Sequence, residues 1–424
     1  MRTVFKSLCH VSLSLMLASW VAPVMAGADE VVDQACLDKL GKQKTQALGP
    51  YVGKKVGKAF EAYSADKINE ALERLLDIET DDKFDRAYIN RFIGYIYAGK
   101  EGNEKKSIQY LSKAVEAHTL NRVEHTGALK LLADLQMQEK MYKEAIGNYQ
   151  QWMSESCTQN ANVYVRIAQG YLELKQLDKM IEPADKAIGL YTQPSQNPYI
   201  LKLSSYYERK KYKESIEVLE KLVEIFPEDK KWWPQLGTFY MMEDQYAKAL
   251  QTMELAYKQG YLEKESEIKA LAQLYATNEI PIKSAQLQEK YIKKGLIERN
   301  AKSLSVLANT YHAAKEVIKA ADYYGEAAEM DHDADLFAKQ GTLYLEAEQY
   351  DKAVAALNRA LDGGAKNPGR IYMSLTEAFF YQKKFKNAYS SVQKAKEYDR
   401  EKKTAESWEA YIRLKAQNNG VSLG

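Results

Sequence analysis

The stretch KKWWPQLGTFYMMEDQYAKALQTMELA, residues 230–256, decides the fold. Its W-x2-L-G-x2-Y spacing, from Trp233 to Tyr240, puts the apolar residues and the glycine on one face of a helix. A second apolar run follows after a short polar break, so the stretch predicts two helices that cross where Gly237 meets Ala249. One helical hairpin of this kind cannot bury its apolar face alone, so copies of it are expected elsewhere in the chain.

The copies are present along most of the sequence. A residue at the eighth place of each first helix, small in all but one case, is repeated every 33 to 39 residues as Ala59, Gly94, Ala133, Ala168, Leu203, Gly237, Ala272, Ala308, Gly341 and Thr376. The matching position of the second helix is repeated as Ala71, Ser107, Ala145, Met180, Ser215, Ala249, Ala285, Ala320, Ala353 and Ala388. An aromatic at the eleventh place of the first helix is repeated as Tyr97, Tyr171, Tyr206, Tyr240, Tyr275, Tyr311, Tyr344 and Phe379. Leu203 and Met180 depart from the small-residue rule.

A period of about 34 residues with this pattern is typical of the tetratricopeptide repeat. The sequence therefore predicts an all-α fold, a right-handed α-solenoid of about ten tetratricopeptide (TPR) helix-turn-helix repeats over residues 52–400. A C-terminal capping helix is predicted over 401–417, followed by a frayed tail over 418–424. The residues that mark the inward face of the capping helix are Trp408, Tyr411, Ile412 and Lys415.

The N-terminal residues predict export. Residues 1–26 have the basic start, apolar run and small-residue cleavage site of a secretory signal peptide. They predict a periplasmic location, with a signal retained as a membrane anchor as the alternative. Residues 27–51 are predicted as an N-terminal helical arm, whose helix over Val31–Leu48 ends at Gly49. The arm either caps the first repeat or docks a partner, and capping is favoured because terminal repeats need their open apolar face covered.

Charge and cysteine content narrow the range of partners. The chain has 60 Lys and Arg against 58 Asp and Glu residues, and removal of 1–26 takes away two of the basic ones. The mature net charge is then close to zero, which argues against nucleic acid or an anionic membrane surface as the main partner.

Cys36 and Cys157 remain after that cleavage. In an oxidising compartment they either pair or stay as two separate thiols, and the sequence alone does not give their separation.

No catalytic or metal-binding pattern is found in the sequence, so we predict no enzyme, no cofactor and no metal site. It contains no nucleophile motif and no H-E-x-x-H pair. The histidines beyond the signal peptide have no metal-ligand spacing: His118, His125, His312 and His332.

Repeat solenoids of this class bind peptides or protein surfaces on the concave face, which the first helices line. Candidate binding residues are therefore the neighbours of the packing positions on those helices. For each of them a solvated helix face is the alternative. The candidates are Arg91, Tyr95, Lys130, Asp134, Arg166, Gln169, Lys269, Gln273, Asn309, Lys339 and Glu377.

Several stretches carry a closer resemblance than the generic repeat requires. They are LKLLADLQMQEKMYKEAIGNYQQWM (129–153), YVRIAQGYLELKQLDKMIEPADKAI (164–188), WWPQLGTFY (232–240) and ELAYKQGYLEKESEIKALAQLY (254–275). The whole mature chain resembles the periplasmic tetratricopeptide repeat proteins associated with TonB-type energy-transduction systems of gamma-proteobacteria. The resemblance implies a role beside TonB, ExbB and ExbD-like partners in iron–siderophore or haem uptake, and it assigns no functional residue.

Two functions remain open at the level of sequence. The first is a non-catalytic periplasmic protein–protein interaction scaffold for the TonB system. The second is an envelope-assembly or export scaffold that binds exopolysaccharide or an outer-membrane component. A polysaccharide binder should expose aromatic side chains along the first-helix face, whereas most aromatics here occupy packing positions.

Overall fold

The computed structural model describes residues 30–41 and 46–423, and this part of the chain is almost entirely helical. Among the described residues, twenty helices pair into ten hairpins, with one short helix before them and one long helix after them. In chain order, the first and second helices of hairpins one to ten are α2 (Pro50–Ser64) and α3 (Ile68–Leu76), α4 (Lys83–Ala98) and α5 (Glu104–Glu116), α6 (Arg122–Gln138) and α7 (Tyr142–Ser156), α8 (Ala161–Glu173) and α9 (Ile181–Leu190), α10 (Gln196–Glu208) and α11 (Tyr212–Ile225), α12 (Trp232–Met242) and α13 (Tyr246–Lys258), α14 (Glu265–Thr277) and α15 (Pro281–Lys293), α16 (Ala301–Ala313) and α17 (Val317–Asp331), α18 (Ala334–Glu346) and α19 (Tyr350–Asp362), and α20 (Pro368–Tyr381) and α21 (Phe385–Lys396).

The hairpins fall into two compact units. The first unit ends at Ile225 and contains hairpins one to five, whereas the second begins at Phe226 and contains hairpins six to ten. Within each unit, the core lies between the two helices of a hairpin and between neighbouring hairpins, as for the cluster that joins Leu129, Tyr149 and Ile167. Each hairpin therefore buries its apolar face against the next, as a repeat array requires.

The predicted repeat register is confirmed. All ten eighth-place residues of the first helices are buried, and so are their ten partners of the second helices. Leu203 is buried despite its size. Met180 is fully buried at the end of a 3-10 turn, Leu177–Met180, that precedes α9. The crossings therefore lie where the sequence pattern places them.

Every hairpin turn contains one residue in the left-handed backbone region, with φ between 56° and 76°. Only hairpin two uses glycine there, Gly102. In the other nine hairpins the next N–H donates to the carbonyl of the eleventh-place residue, as Gln245 does to Tyr240 at 2.8 Å. This bond satisfies a carbonyl that the first helix would otherwise leave unpaired at its end. The nine residues are Asp66, Lys140, Lys175, Lys210, Asp244, Glu279, Lys315, Glu348 and Lys383.

The N-terminal arm differs from the predicted helix over Val31–Leu48. Glu30–Val32 forms strand β1, antiparallel to β2 (Thr158–Asn160), and within the described residues 30–41 and 46–48 the helical part is α1 (Gln34–Leu40). The β-branched valines favour the extended form once a partner strand is available. Gly49 also has a different role from the predicted one, because it begins α2 instead of ending the arm. The predicted signal peptide, 1–26, lies outside the described residues.

The predicted capping helix is confirmed as α22, Asp399–Asn418. Its fully buried residues are Ala405, Ile412 and Ala416. The rings of Trp408 and Tyr411 lie 5.4 and 5.1 Å from that of Phe380 in hairpin ten. The tail beyond it is attached, contrary to the predicted fraying, because Leu423 packs against the same cluster. Across the described residues, we find no helix whose length and apolar character would suffice to span a membrane.

Candidate interaction surface

All eleven predicted binding residues lie on first helices. Six belong to the first unit, on α4, α6 and α8, and five to the second, on α14, α16, α18 and α20. The structure separates them into side chains that hold neighbouring helices together and side chains that remain exposed. The exposed side chains remain candidates for binding a partner, as predicted.

Arg91 is a structural link between hairpins. Its guanidinium lies 3.0 Å from Glu124 of hairpin three, and both side chains are less than one fifth exposed. The same group lies over the rings of Tyr88 and Tyr95, 4.9 and 5.5 Å from their centres. Because half-buried Arg–carboxylate pairs and cation–π contacts stabilise packing, Arg91 and Tyr95 act in the repeat interface.

Asp134 is also engaged inside the array. Its carboxylate accepts a hydrogen bond of 2.5 Å from the Tyr149 hydroxyl and lies 3.6 Å from Arg166 of the next hairpin. Burial, followed by the Asp134 charge, raises the pKa of Tyr149, so this phenol stays protonated as the donor. Lys130 lies over Trp152 at 5.0 Å. In the first unit, Arg166 is thus the one predicted residue that is exposed, and Gln169 is half-buried.

The second unit keeps more of its candidates exposed. Lys269 and Gln273 are exposed, and each pairs with a residue of its own helix, Glu265 at 2.5 Å and Thr277 at 3.3 Å. Asn309 accepts a 2.5 Å hydrogen bond from the hydroxyl of Tyr324, and Lys339 lies over that ring at 5.2 Å.

Glu377, on α20, is the exception among the candidates of the second unit. It is half-buried, and burial raises the pKa of its carboxyl.

An open groove of about 500 Å³ lies between hairpins seven and eight. Asn309 is the predicted residue that reaches it. Val306, on the same helix, is 49% exposed and was not predicted. The signal for it is an apolar residue at an outward position of a first helix, which repeat packing does not require. The groove is lined by Ala276, Glu279, Pro281, Val306, Asn309, Thr310 and Ala313.

Glu289 joins hairpins seven and eight. Its carboxylate accepts hydrogen bonds from Tyr311 and, at 2.8 Å, from Tyr323, and it lies 2.5 Å from Lys293. Burial opposes ionisation, but these partners outweigh it and lower the pKa of Glu289 to about 2. The two tyrosine rings stack with their centres 5.7 Å apart. The carboxylate therefore anchors both helices of hairpin eight.

The structure brings together three residues that the sequence spacing does not relate. His118, His125 and Glu155 each offer a ligand atom, and these atoms lie within 4.8 Å of one another. The two imidazole rings stack at 5.1 Å. Burial lowers the pKa of His125, against the opposing charge of Glu155. No sequence signal relates the three, because only the packing of hairpins two and three makes them neighbours.

Cys36 and Cys157 form a disulfide, with Cα atoms 5.7 Å apart and a sequence separation of 121 residues. It lies beside the β1–β2 pair, where the Asp33 N–H also donates to the Cys157 carbonyl at 2.8 Å. Arg122 donates to the carbonyl of Gly41 at 2.9 Å and adds a further contact to the arm. The arm is thereby tied to the end of hairpin three.

Comparison with known proteins identifies one repeat by sequence. Residues 197–229, which span hairpin five, match the tetratricopeptide repeat family. No curated protein matches the chain significantly.

The solved structures to which this chain is similar include two that are described as tetratricopeptide repeat proteins. A tetratricopeptide repeat protein from Parabacteroides merdae ATCC 43184 is 14% identical, with 78% of this chain and 100% of that chain covered and a TM-score of 0.33. The structure of Naa15/Naa10 bound to HypK-THB is 13% identical, with 87% and 67% covered and a TM-score of 0.43. YrrB, described as a TPR protein with an unusual peptide-binding site, is 19% identical, with 48% and 99% covered and a TM-score of 0.34. With ten hairpins in register and one of them matched by sequence, the chain has the fold of an all-α array of tetratricopeptide repeats.

Proposed function

We propose that the chain is a non-catalytic periplasmic scaffold that binds a protein partner through its first helices, and that this partner belongs to a TonB-type energy-transduction system. The groove between hairpins seven and eight is the observation that supports binding of a protein partner. It combines an exposed apolar side chain, Val306, with the side-chain amide of Asn309, which keeps one donor and one acceptor position beyond its bonds to Ser305 and Tyr324. An extended peptide presents apolar side chains and backbone amides in the same alternation, so it suits this surface.

Two observations support the periplasmic location. The first is the secretory pattern of residues 1–26. The second is the Cys36–Cys157 disulfide, because such bonds persist in oxidising compartments and are rare in the cytosol. The TonB assignment is supported by the family resemblance, which covers the signal, the arm and all ten repeats.

Crosslinking from the periplasm tests the binding surface. We expect Val306→Asp to reduce recovery of the partner, since a carboxylate would have to be desolvated in the groove. The matched control is Ile318→Asp, on the second helix of the same hairpin, because Ile318 is 45% exposed against 49% for Val306. Equal recovery of the partner by both variants would contradict a first-helix site.

Growth on an iron–siderophore complex as the sole iron source tests the TonB half. A strain that lacks this protein should grow more slowly than its parent, and complementation with the wild-type chain should restore growth. If the deletion strain grows as well as the parent and no TonB-system protein crosslinks to the scaffold, the assignment is wrong. The envelope-assembly role then replaces it.

One observation favours that second candidate function. Tyr51, Phe60 and Tyr63 lie on the first helix of hairpin one and are 60%, 58% and 40% exposed. Exposed aromatic faces of this kind can pack against sugar rings. Binding of purified exopolysaccharide to the wild-type chain, and its loss in Phe60→Ser, on the side of the helix that also carries Tyr63, would support the envelope role. Unchanged binding in that variant would exclude this aromatic surface.

A further inference from the structure

We propose that His118, His125 and Glu155 form a binding site for a divalent transition-metal ion, with zinc as the favoured ion. His118 follows α5, His125 lies in the first half of α6, and Glu155 lies at the end of α7. The three residues thus come from hairpin two and from both helices of hairpin three. The site is separate from the groove between hairpins seven and eight and does not depend on it.

The donor set has the chemistry of a zinc site. Zinc takes imidazole nitrogen and carboxylate oxygen, and sites with three protein ligands keep a further position open for water or for another ligand. Two histidines and one glutamate provide that set here. The same donors also bind other first-row ions, and the usual order of affinities places copper and nickel beside zinc.

The distances require only a small movement. Ligand atoms around one zinc ion lie about 3.3 Å apart, given metal–ligand distances of about 2.0–2.1 Å. His125 Nε2 and Glu155 Oε2 are already 3.2 Å apart. His118 is exposed and its ring already stacks on that of His125, and all three ligand atoms lie within 4.8 Å of one another.

The present contacts leave a donor atom unused. His125 is 4% exposed, and its Nε2 atom makes no hydrogen bond within the described residues. Its 3.2 Å approach to Glu155 lacks hydrogen-bond geometry. A buried polar atom without a partner costs free energy, and a metal ion would satisfy it together with the carboxylate. This atom is the observation that separates the site from a chance surface cluster.

The position of the site suggests what an ion would do. Glu155 is two residues from Cys157, which holds the arm, so one ion would join hairpin two to the end of hairpin three beside the disulfide. A ligand that binds the folded chain and not the unfolded chain stabilises the fold by an amount that grows with the logarithm of its concentration over its Kd. We therefore expect zinc to raise the melting temperature of the first unit.

Calorimetric titration of the tag-free, oxidised protein with zinc chloride tests the proposal. Oxidised protein is required because free thiols also bind zinc. We expect one zinc ion per chain, and at least about tenfold weaker binding in His118→Ala and in Glu155→Gln. Cobalt(II) provides a second readout, since its visible d–d bands should appear with the wild-type chain and not with His118→Ala.

The matched control is His312→Ala. His312 also faces a glutamate, Glu346 at 3.5 Å, but it belongs to no cluster of three ligands in the described part of the chain. Its replacement should leave zinc binding unchanged. His118 is exposed, so its replacement should keep the helical circular dichroism. No zinc uptake by the wild-type chain, or equal affinity in all three variants, would overturn the site.

Discussion

At three helix crossings, a side chain of the second helix leaves no room for a Cβ atom on the first helix, so the residue there is glycine. A Cβ atom built on Gly94 would lie 2.7 Å from Leu111, on Gly237 2.5 Å from Met253, and on Gly341 2.6 Å from Leu357. Such distances are shorter than carbon–carbon contact, so the side chain or the second helix that carries it would have to move. The residue on the second helix therefore requires the glycine, which explains why the eighth place tolerates variation only within a small range of sizes.

The first prediction concerns Gly237. Gly237→Leu should overpack hairpin six and lower the free energy of unfolding by about 1–3 kcal/mol or more, measured by chemical denaturation. The control is Gly147→Ala on α7, where a Cβ atom would meet nothing within 4 Å. That change should stabilise the protein by about 0.4–1 kcal/mol, because alanine restricts the unfolded chain. An unchanged denaturation curve for Gly237→Leu would contradict the register.

A second prediction at this scale concerns pH. The pKa of Glu289 is lowered from 4.5 to about 2, so its contribution to stability is complete above about pH 4.5 and is lost as the pH falls toward 2. Glu289→Gln should therefore lower stability at neutral pH, and its difference from the wild type should shrink as the pH falls through that window. Denaturation at a series of pH values measures this difference.

Tyr323→Phe provides the control for the same carboxylate. It removes one hydrogen bond to Glu289, so the pKa should rise and the acid loss should begin at a higher pH. The anchoring role would be contradicted if the stability of the wild type and that of Glu289→Gln changed in parallel from pH 7 to about pH 2.

At the scale of the element, the hairpin turn is the most regular feature of the chain. Nine turns place a residue other than glycine in the left-handed region and close with a bond to the eleventh-place carbonyl. A left-handed residue with a side chain costs about 1–2 kcal/mol. In each of these nine turns, the hydrogen bond to the eleventh-place carbonyl and the packing of the two helices offset that cost.

The third prediction tests this cost in hairpin eight. Lys315 has φ 64°, and Lys315→Gly should stabilise the protein by up to about 1 kcal/mol, since relief of strain exceeds the added freedom of the unfolded chain. Gly102→Ala, at φ 76°, should lower the stability of the protein by a similar amount. Thermal and chemical denaturation of the two variants should therefore move in opposite directions.

The sequence predicts the features that depend on spacings within one repeat, and it misses those that depend on contacts between distant residues. The helices, their crossings and the capping helix depend on spacings within one repeat, which periodicity reports directly. The strand at Glu30–Val32 depends on a partner 128 residues away and was therefore predicted as helix. Likewise, the ion pair of Arg91 with Glu124 joins two repeats, so the pattern within one repeat does not reveal it. Arg91 was therefore predicted as a binding residue. The groove at Val306 and the His118 cluster arise from the same packing between repeats.

At the scale of the whole molecule, the two compact units differ in how they are secured. The disulfide, the β1–β2 pair and the arm all belong to the first unit, whereas the second ends with the capping helix α22. Closure of a loop this long contributes about 4–5 kcal/mol in the chain-entropy model. The stability of the first unit should therefore depend on redox conditions.

The fourth prediction follows from this difference. The double variant Cys36→Ser, Cys157→Ser should lose up to about 4–5 kcal/mol in the first unit while the second unit keeps its stability. Differential scanning calorimetry should show one transition shifted and one unchanged. Thiol labelling of the denatured, unreduced wild type checks the bond itself, because two reactive thiols per chain would contradict it.

The disulfide also sets an order of events during synthesis. Cys36 precedes Cys157 by 121 residues, so it is the first to reach the compartment where the bond forms, and β1 likewise precedes β2. The arm is therefore among the first described segments to emerge and must wait, unpaired, until hairpin three is complete. Hairpins one to three fold inside a ring that closes only afterwards. A chain cut short before Cys157 would keep a reactive thiol and an open strand edge, and cellular quality control could recognise both.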